Sequence, residues 1–244
     1  MAKDTFRYGN RLTIEVPNGA VRAVVRWRHT YSVPEGSDET RTITLEGKEL
    51  CEAVMSDYRA LIGFLSPIFG EEIIACSYWP RAILTAFLIT ESPQIHTRKD
   101  LQSGASIKKS PAPAGSAHNN LYEHWKTEGT SLGEMLRRLA ADPNLFGDQP
   151  VERALAMNET FLREAFPDCN LVVTFDHEPI ISLLAAKHGA PAEMLGLEEC
   201  QAMVFFLDRN RNVLSVQKFT SSATLPQEDP TDMPTVQNVP VGNK

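Results

Sequence analysis

Three short stretches of this chain carry residue types able to handle a phosphoryl group. Arg28-His29 closes the apolar run Val21 to Trp27 and opens a polar loop running from Thr30 to Asp38. Ser77-Tyr-Trp-Pro-Arg81 follows a second apolar run that starts at Glu72. Asp176-His177-Glu178 follows a third, Asn170 to Phe175. A neutral imidazole is a nucleophile when one ring nitrogen is free and the other is held by a hydrogen bond. A guanidinium presents a fork of donors that suits phosphoryl oxygens. Each stretch alone has an ordinary reading: a surface arginine, a first-turn arginine on a helix, a helix-capping histidine. Their shared placement carries more. Each lies just past a strand-like run, and in open α/β sheets ligands bind beyond the carboxyl ends of the strands. Two arginines (Arg28, Arg81) and two histidines (His29, His177) on one such edge would hold a phosphate dianion.

The elements that must position them alternate in type. Leu12 to Val16 alternates as a strand, Pro17-Asn-Gly-Ala20 reads as a turn, and Val21 to Trp27 is the next strand, so a hairpin is expected to open the chain. Thr44 is the predicted N-cap of a helix. Leu45, Leu50, Val54 and Tyr58 are expected to share its buried face, and Pro67 and Gly70 to end it near Leu65. Glu72 to Ser77 reads as a buried strand, and the helix after it takes Pro80 at its first position, where the missing N–H costs nothing. Residues 92–130 are rich in Ser, Pro, Gly, Ala and Lys and read as an insertion beside the site. Ser131 with Glu134 forms a capping-box pattern. A helix over 150–166, a strand over 170–175, a helix over 179–188 and a hairpin of strands 199–208 and 213–219 complete the pattern. The expected fold is an α/β three-layer sandwich, with a mostly parallel central sheet and helices on both faces. The organisation expected is one catalytic domain over 1–220, with 92–130 as insertion or lid and 221–244 as a disordered polar tail.

Composition narrows the function classes. The 244 residues carry a net charge of −7, so there is no basic footprint for nucleic acid. No apolar run is long enough to span a membrane, and the N-terminal residues lack the apolar core of a signal peptide. Cys51, Cys76, Cys169 and Cys200 are widely spaced in apolar surroundings, without a CxxC pair. They read as reduced core thiols of a cytoplasmic protein rather than metal ligands.

In order and separation the three stretches resemble the motifs of the histidine phosphatase superfamily, the phosphoglycerate-mutase-like proteins. Arg28-His29-Thr30 is similar to that family's Arg-His-Gly. Ile43-Thr-Leu-Glu-Gly47 is similar to its Leu-Thr-x-x-Gly helix start. Ser77-x-x-x-Arg81-Ala82-x-x-Thr85-Ala86 matches its second motif closely, and Leu171 to Pro179 resembles its strand ending in histidine. The likeness covers about residues 21–220. It departs at Thr30, which stands where the family has glycine, and at Phe175-Asp176, where one residue is extra before His177.

The resemblance implies a metal-independent phosphatase with no cofactor, acting on a small phosphorylated metabolite. His29 would be the nucleophile, Arg28 and Arg81 the phosphate ligands, and His177 a further positive group. The proton donor is open. Gln102 stands near where mutase-like members carry a Glu. In the acid-phosphatase branch the donor follows the second histidine, where this chain has Glu178; Glu91, Asp100 and Glu123 are the other candidates. The alternatives are a phosphoglycerate mutase, a protein phosphohistidine phosphatase, and a catalytically weak phosphate-binding homologue. His188 reads as structural at a helix end, and His96, His118, His124 and Lys108-Lys109 as solvated.

Overall fold

A computed structural model describes residues 5–8, 12–33, 40–102, 131–142 and 149–221, with residues 124, 127 and 129. The elements are β1 (Thr5–Tyr8), β2 (Leu12–Glu15), β3 (Arg22–Arg28), α1 (Leu45–Phe69), β4 (Glu72–Ser77), α2 (Pro80–Thr90), β5 (His96–Arg98), α3 (Leu132–Ala141), α4 (Gln149–Glu164), β6 (Leu171–Asp176), α5 (Glu178–Lys187), β7 (Ala202–Leu207) and β8 (Val213–Phe219). Short 3₁₀ turns at Asp100–Gln102 and Ala192–Met194 join them.

Six strands form one sheet in the order β5-β4-β6-β3-β7-β8. The pairs β5–β4, β4–β6 and β6–β3 are parallel, and β3–β7 and β7–β8 are antiparallel. Strand alternation divides the core in two. Ala23, Val25 and Trp27 of β3, with Leu171, Val173 and Phe175 of β6, face α1 and α2. Val24 and Val172 face α3, α4 and α5. This is the expected three-layer sandwich, and it explains why β3 and β6 read as unbroken apolar runs: parallel strands are covered on both faces. Because β4, β6 and β3 are adjacent and parallel, Ser77, Asp176 and Arg28 end on one edge.

Four expectations are corrected. The opening hairpin does not form between β2 and β3; β2 pairs with β1. Both edges of β3 are already taken, by β6 and β7, and the Val21 amide donates to Leu207, so no partner groups remain for β2. Helix α1 continues through Pro67 to Phe69. A proline in the last turn forfeits one bond, to exposed Gly63, while buried Phe69 anchors that turn and the Gly70 amide caps Ser66. Leu45 is 69% exposed, since it sits on the first turn beyond the sheet, whereas Leu50, Val54 and Tyr58 are buried as expected. The strand placed over 199–208 is shorter, Ala202–Leu207. Strand β5 lies inside the segment read as an insertion, so the sheet extends into it; most of residues 103–130, and the tail after 221, lie outside the described residues.

Two buried arginines sit on β3. Arg22 donates to the carbonyls of Ala165, Phe166 and Cys169, closing the C-terminus of α4, and burial lowers its pKa to about 10. Arg26 and Asp176 are fully buried on the α4 face and form an ion pair; Arg26 Nη2 also donates to Asn158 Oδ1 of α4 at 2.7 Å. Removing one partner of such a pair leaves an uncompensated charge, at a cost of about 3–5 kcal/mol. Asp176→Ala is therefore expected to lose that much in urea unfolding, and Arg26→Met/Asp176→Leu together to lose less. A single-variant loss below about 1 kcal/mol would contradict the pairing.

Candidate active site

The carboxyl edge gathers His29, Arg81 and His177 into one cluster. The His29 amide donates to Asp176 O at 3.0 Å, tying the loop after β3 to the end of β6. Its Nδ1 lies 2.7 Å from Thr30 O, and its Nε2 lies 3.2 Å from Arg81 Nε. Both contacts demand one tautomer. A carbonyl only accepts, so Nδ1 carries the proton; a guanidinium only donates, so Nε2 offers its lone pair. The Nε2 lone pair thus faces the Arg81 cation.

His177 is 3% exposed. Its ring lies 5.0 Å from the His29 ring, edge to face, and its Nε2 is 3.3 Å from Ser77 Oγ. Trp79, not singled out in the sequence, fills the space between second histidine and second arginine. The Arg81 guanidinium stacks over its ring at 4.3 Å and the His177 ring lies 4.4 Å from it. An aromatic face against a guanidinium fixes the plane of the donors. The signal was available: an aromatic before a Pro-Arg helix start, at the end of a buried strand.

The loop after His29 is fastened on both sides. Thr30 Oγ1 donates to Gly47 O at 3.0 Å and the Thr30 amide donates to Thr85 Oγ1 at 3.2 Å. Gly47 is required there, because a Cβ would come within 2.7 Å of Tyr31 O. The predicted N-cap is present, with Thr44 Oγ1 accepting from the Gly47 amide at 3.0 Å. The Thr30 side chain is fully buried toward α1.

Arg28 is placed differently from Arg81. Its guanidinium donates to Leu197 O and pairs with Glu199, both groups about one-fifth exposed. Glu178 is buried at the start of α5, where its Oε1 accepts from Ser182 Oγ at 2.6 Å and from the Leu197 amide at 3.2 Å. The other candidate carboxylates lie elsewhere. Glu91 pairs with Arg59 at the far end of α2, about 15 Å along the helix from Arg81 at 1.5 Å per residue. Asp100 pairs with Arg98 just past β5, three strand spacings or about 14 Å from β3. Glu123 lies outside the described residues, as do His118 and Lys108-Lys109. His188 caps α5 and contacts Glu159 at 2.7 Å, away from the cluster. His96 is exposed on β5. All four cysteines are buried and free. Among the described residues no group of three His, Cys, Asp or Glu is arranged to hold a metal ion, and no helix is long and apolar enough to cross a membrane.

No family profile and no curated protein matches the sequence. Solved structures do. A phosphoglycerate mutase from Bacillus anthracis str. Sterne superposes with a TM-score of 0.50 at 16% identity, over 84% of this chain and 95% of that one. The chain has the phosphoglycerate-mutase-like fold. Two further structures align over similar lengths: a phosphoserine phosphatase from Entamoeba histolytica in complex with 3-phosphoglyceric acid (TM-score 0.49, 14% identity, 82% of this chain and 98% of that one) and a mycobacterial glucosyl-3-phosphoglycerate phosphatase (TM-score 0.45, 14% identity, 83% and 100%). In this phosphoglycerate-mutase-like chain the edge of the sheet where the three motifs end is the candidate active site.

The pairing of Arg28 with Glu199 generates a measurable consequence. An anion bound by Arg28 would compete with Glu199 for the guanidinium. A partly exposed pair is worth about 0.2–1 kcal/mol, so Glu199→Gln is expected to tighten inorganic phosphate binding about 1.4- to 5-fold by calorimetry. Unchanged or weaker binding would show that Glu199 does not compete.

Proposed function

We propose that the protein is a phosphatase of the histidine phosphatase type, which hydrolyses a small phosphorylated metabolite through a phosphohistidine intermediate. The observation that carries this reading is the tautomer of His29. Its proton is committed to Thr30 O, and its lone pair is aimed at Arg81. A phosphoryl oxygen entering between them takes over the Arg81 donor and brings phosphorus in front of Nε2.

The steps follow from that placement. The His29 Nε2–P bond forms as the bond from phosphorus to the ester oxygen breaks in line. Charge builds on the non-bridging oxygens, so fixed donors dominate the stabilisation. Arg81 supplies one fork, and Arg28 a second once it exchanges Glu199 for the dianion. His177, if protonated, adds a third positive group beside Trp79. The leaving oxygen takes a proton from a carboxylic acid. The resulting carboxylate then deprotonates the water that attacks phosphorus, the N–P bond breaks, and inorganic phosphate leaves. We assign the acid to Glu178. The assignment is supported by its adjacency to His177 and by the distant ion pairs of Glu91 and Asp100. All charge needed comes from side chains, so no metal or cofactor enters. Four free buried thiols support a reducing, cytoplasmic setting.

His29→Ala is expected to lower phosphate release from p-nitrophenyl phosphate more than 100-fold, since loss of a nucleophile costs several kcal/mol of barrier. Its melting temperature should stay near wild type. Retained turnover would overturn the covalent role. Activity is expected to survive EDTA; loss that returns with Mg²⁺ or Zn²⁺ would indicate a different reaction class.

Glu178→Gln is expected to slow alkyl phosphates far more than p-nitrophenyl phosphate, whose phenolate leaves without a proton. Equal slowing of both, or of neither, would reduce Glu178 to the carboxylate that fastens Ser182 and Leu197 to the start of α5.

A further inference from the structure

We propose that Thr85 is a positioning residue for His29: its hydroxyl joins the loop of the nucleophile to the turn that carries Arg81, and so sets the imidazole's orientation and its distance from the guanidinium. This rests on the reading of His29 as nucleophile. The geometry is a closed ring. Thr85 Oγ1 donates to Arg81 O at 2.6 Å and accepts the Thr30 amide at 3.2 Å. Thr30 is joined by the chain to His29, and its carbonyl holds His29 Nδ1 at 2.7 Å. Arg81 Nε closes the ring on His29 Nε2 at 3.2 Å. Both threonines are fully buried.

A threonine hydroxyl bonded one turn back is ordinary in helices. Thr90 on the same helix does this too, with Ala86 O at 2.7 Å, and its second bond is local, from the Ser92 amide at 3.1 Å. Thr85 differs in that its second bond reaches 55 residues away, to the loop of the nucleophile. That loop has no slack on its other side. Thr30 Oγ1 is bonded to Gly47 O, Tyr31 O accepts the Thr44 amide at 3.2 Å, and Gly47 leaves no room for approach. Helix α1 is therefore a backstop and Thr85 the tether. Without the tether the His29–Thr30 peptide can rotate, and the Thr30 backbone loses the anchor that holds its carbonyl, in the next peptide unit, against His29 Nδ1.

The test compares Thr85→Val, Thr85→Ser and Thr90→Val with wild type. It reads kcat and KM on p-nitrophenyl phosphate, melting temperature, and the ¹⁵N ring signals of His29. An ångström of misplacement at a reacting group costs on the order of 100-fold. Thr85→Val is expected to lower kcat about 30- to 100-fold with KM within about 3-fold, and to mix the His29 tautomers. Thr85→Ser should restore kcat to within about 3-fold. Thr90→Val should lose melting temperature but less than about half of kcat. A Thr85→Val kcat within about 3-fold of wild type, or a Thr85→Ser variant as slow as Thr85→Val, would overturn the proposal. If Thr85→Val does not fold, Thr85→Ala is judged by the same thresholds. If wild type hydrolyses no phosphate ester, the phosphatase reading fails. The tautomer comparison alone then decides: an unaltered Nδ1–H signal in Thr85→Val refutes the positioning role.

Discussion

The buried ion pair between Arg26 and Asp176 is the constraint on which the edge depends. Two charges without solvent are tolerated only in close, fixed contact, and here that contact spans two strands and a helix through Asn158. A one-residue slip of β3 against β6 would carry Arg26 to the α1 face and strand Asp176 alone. The pair therefore pins the register at which Arg28 lies opposite Asp176. The His29 amide bond to Asp176 O exists only in that register. Strand pairing, in this molecule, is how a histidine from the start of the chain meets one from far along it.

The fastening then passes from strands to loops. Past the strand ends no ladder remains to hold the backbone, and α1 and α2 take over through the Gly47 carbonyl and the Thr85 hydroxyl. This arrangement lets polar backbone groups be buried beside an imidazole without going unpaired. It also gives Thr30 a bond that a glycine could not make, because its hydroxyl donates to α1.

What could be read from the residues followed from locality. The apolar runs at 22–28, 72–77 and 171–176 became parallel strands because only sequence patterning, not partner choice, was needed to find them. Pro80 and the Ser131–Glu134 cap fixed their helix starts for the same reason. The reading failed where a competing partner decided. A turn signal at Pro17–Ala20 was real, yet β3 was claimed by β6 and β7, strands over 140 residues away. At the site, His29, Arg81 and His177 were identifiable by type and position. The engagement of Arg28 with Glu199, and the ring through Thr85, are contacts between segments far apart in the chain. No local pattern announces them.

Trp79 has one more consequence. Its indole lies 4.3 Å from the Arg81 guanidinium and 4.4 Å from the His177 ring. Trp27, by contrast, lies in the apolar core against Phe175 and Phe219. A change at either neighbour would therefore alter the emission of Trp79 more than that of Trp27, whose ring is packed among apolar side chains. If the proposed anion binds at this edge, the change in Trp79 emission would report it without a chromophore on the ligand and without turnover.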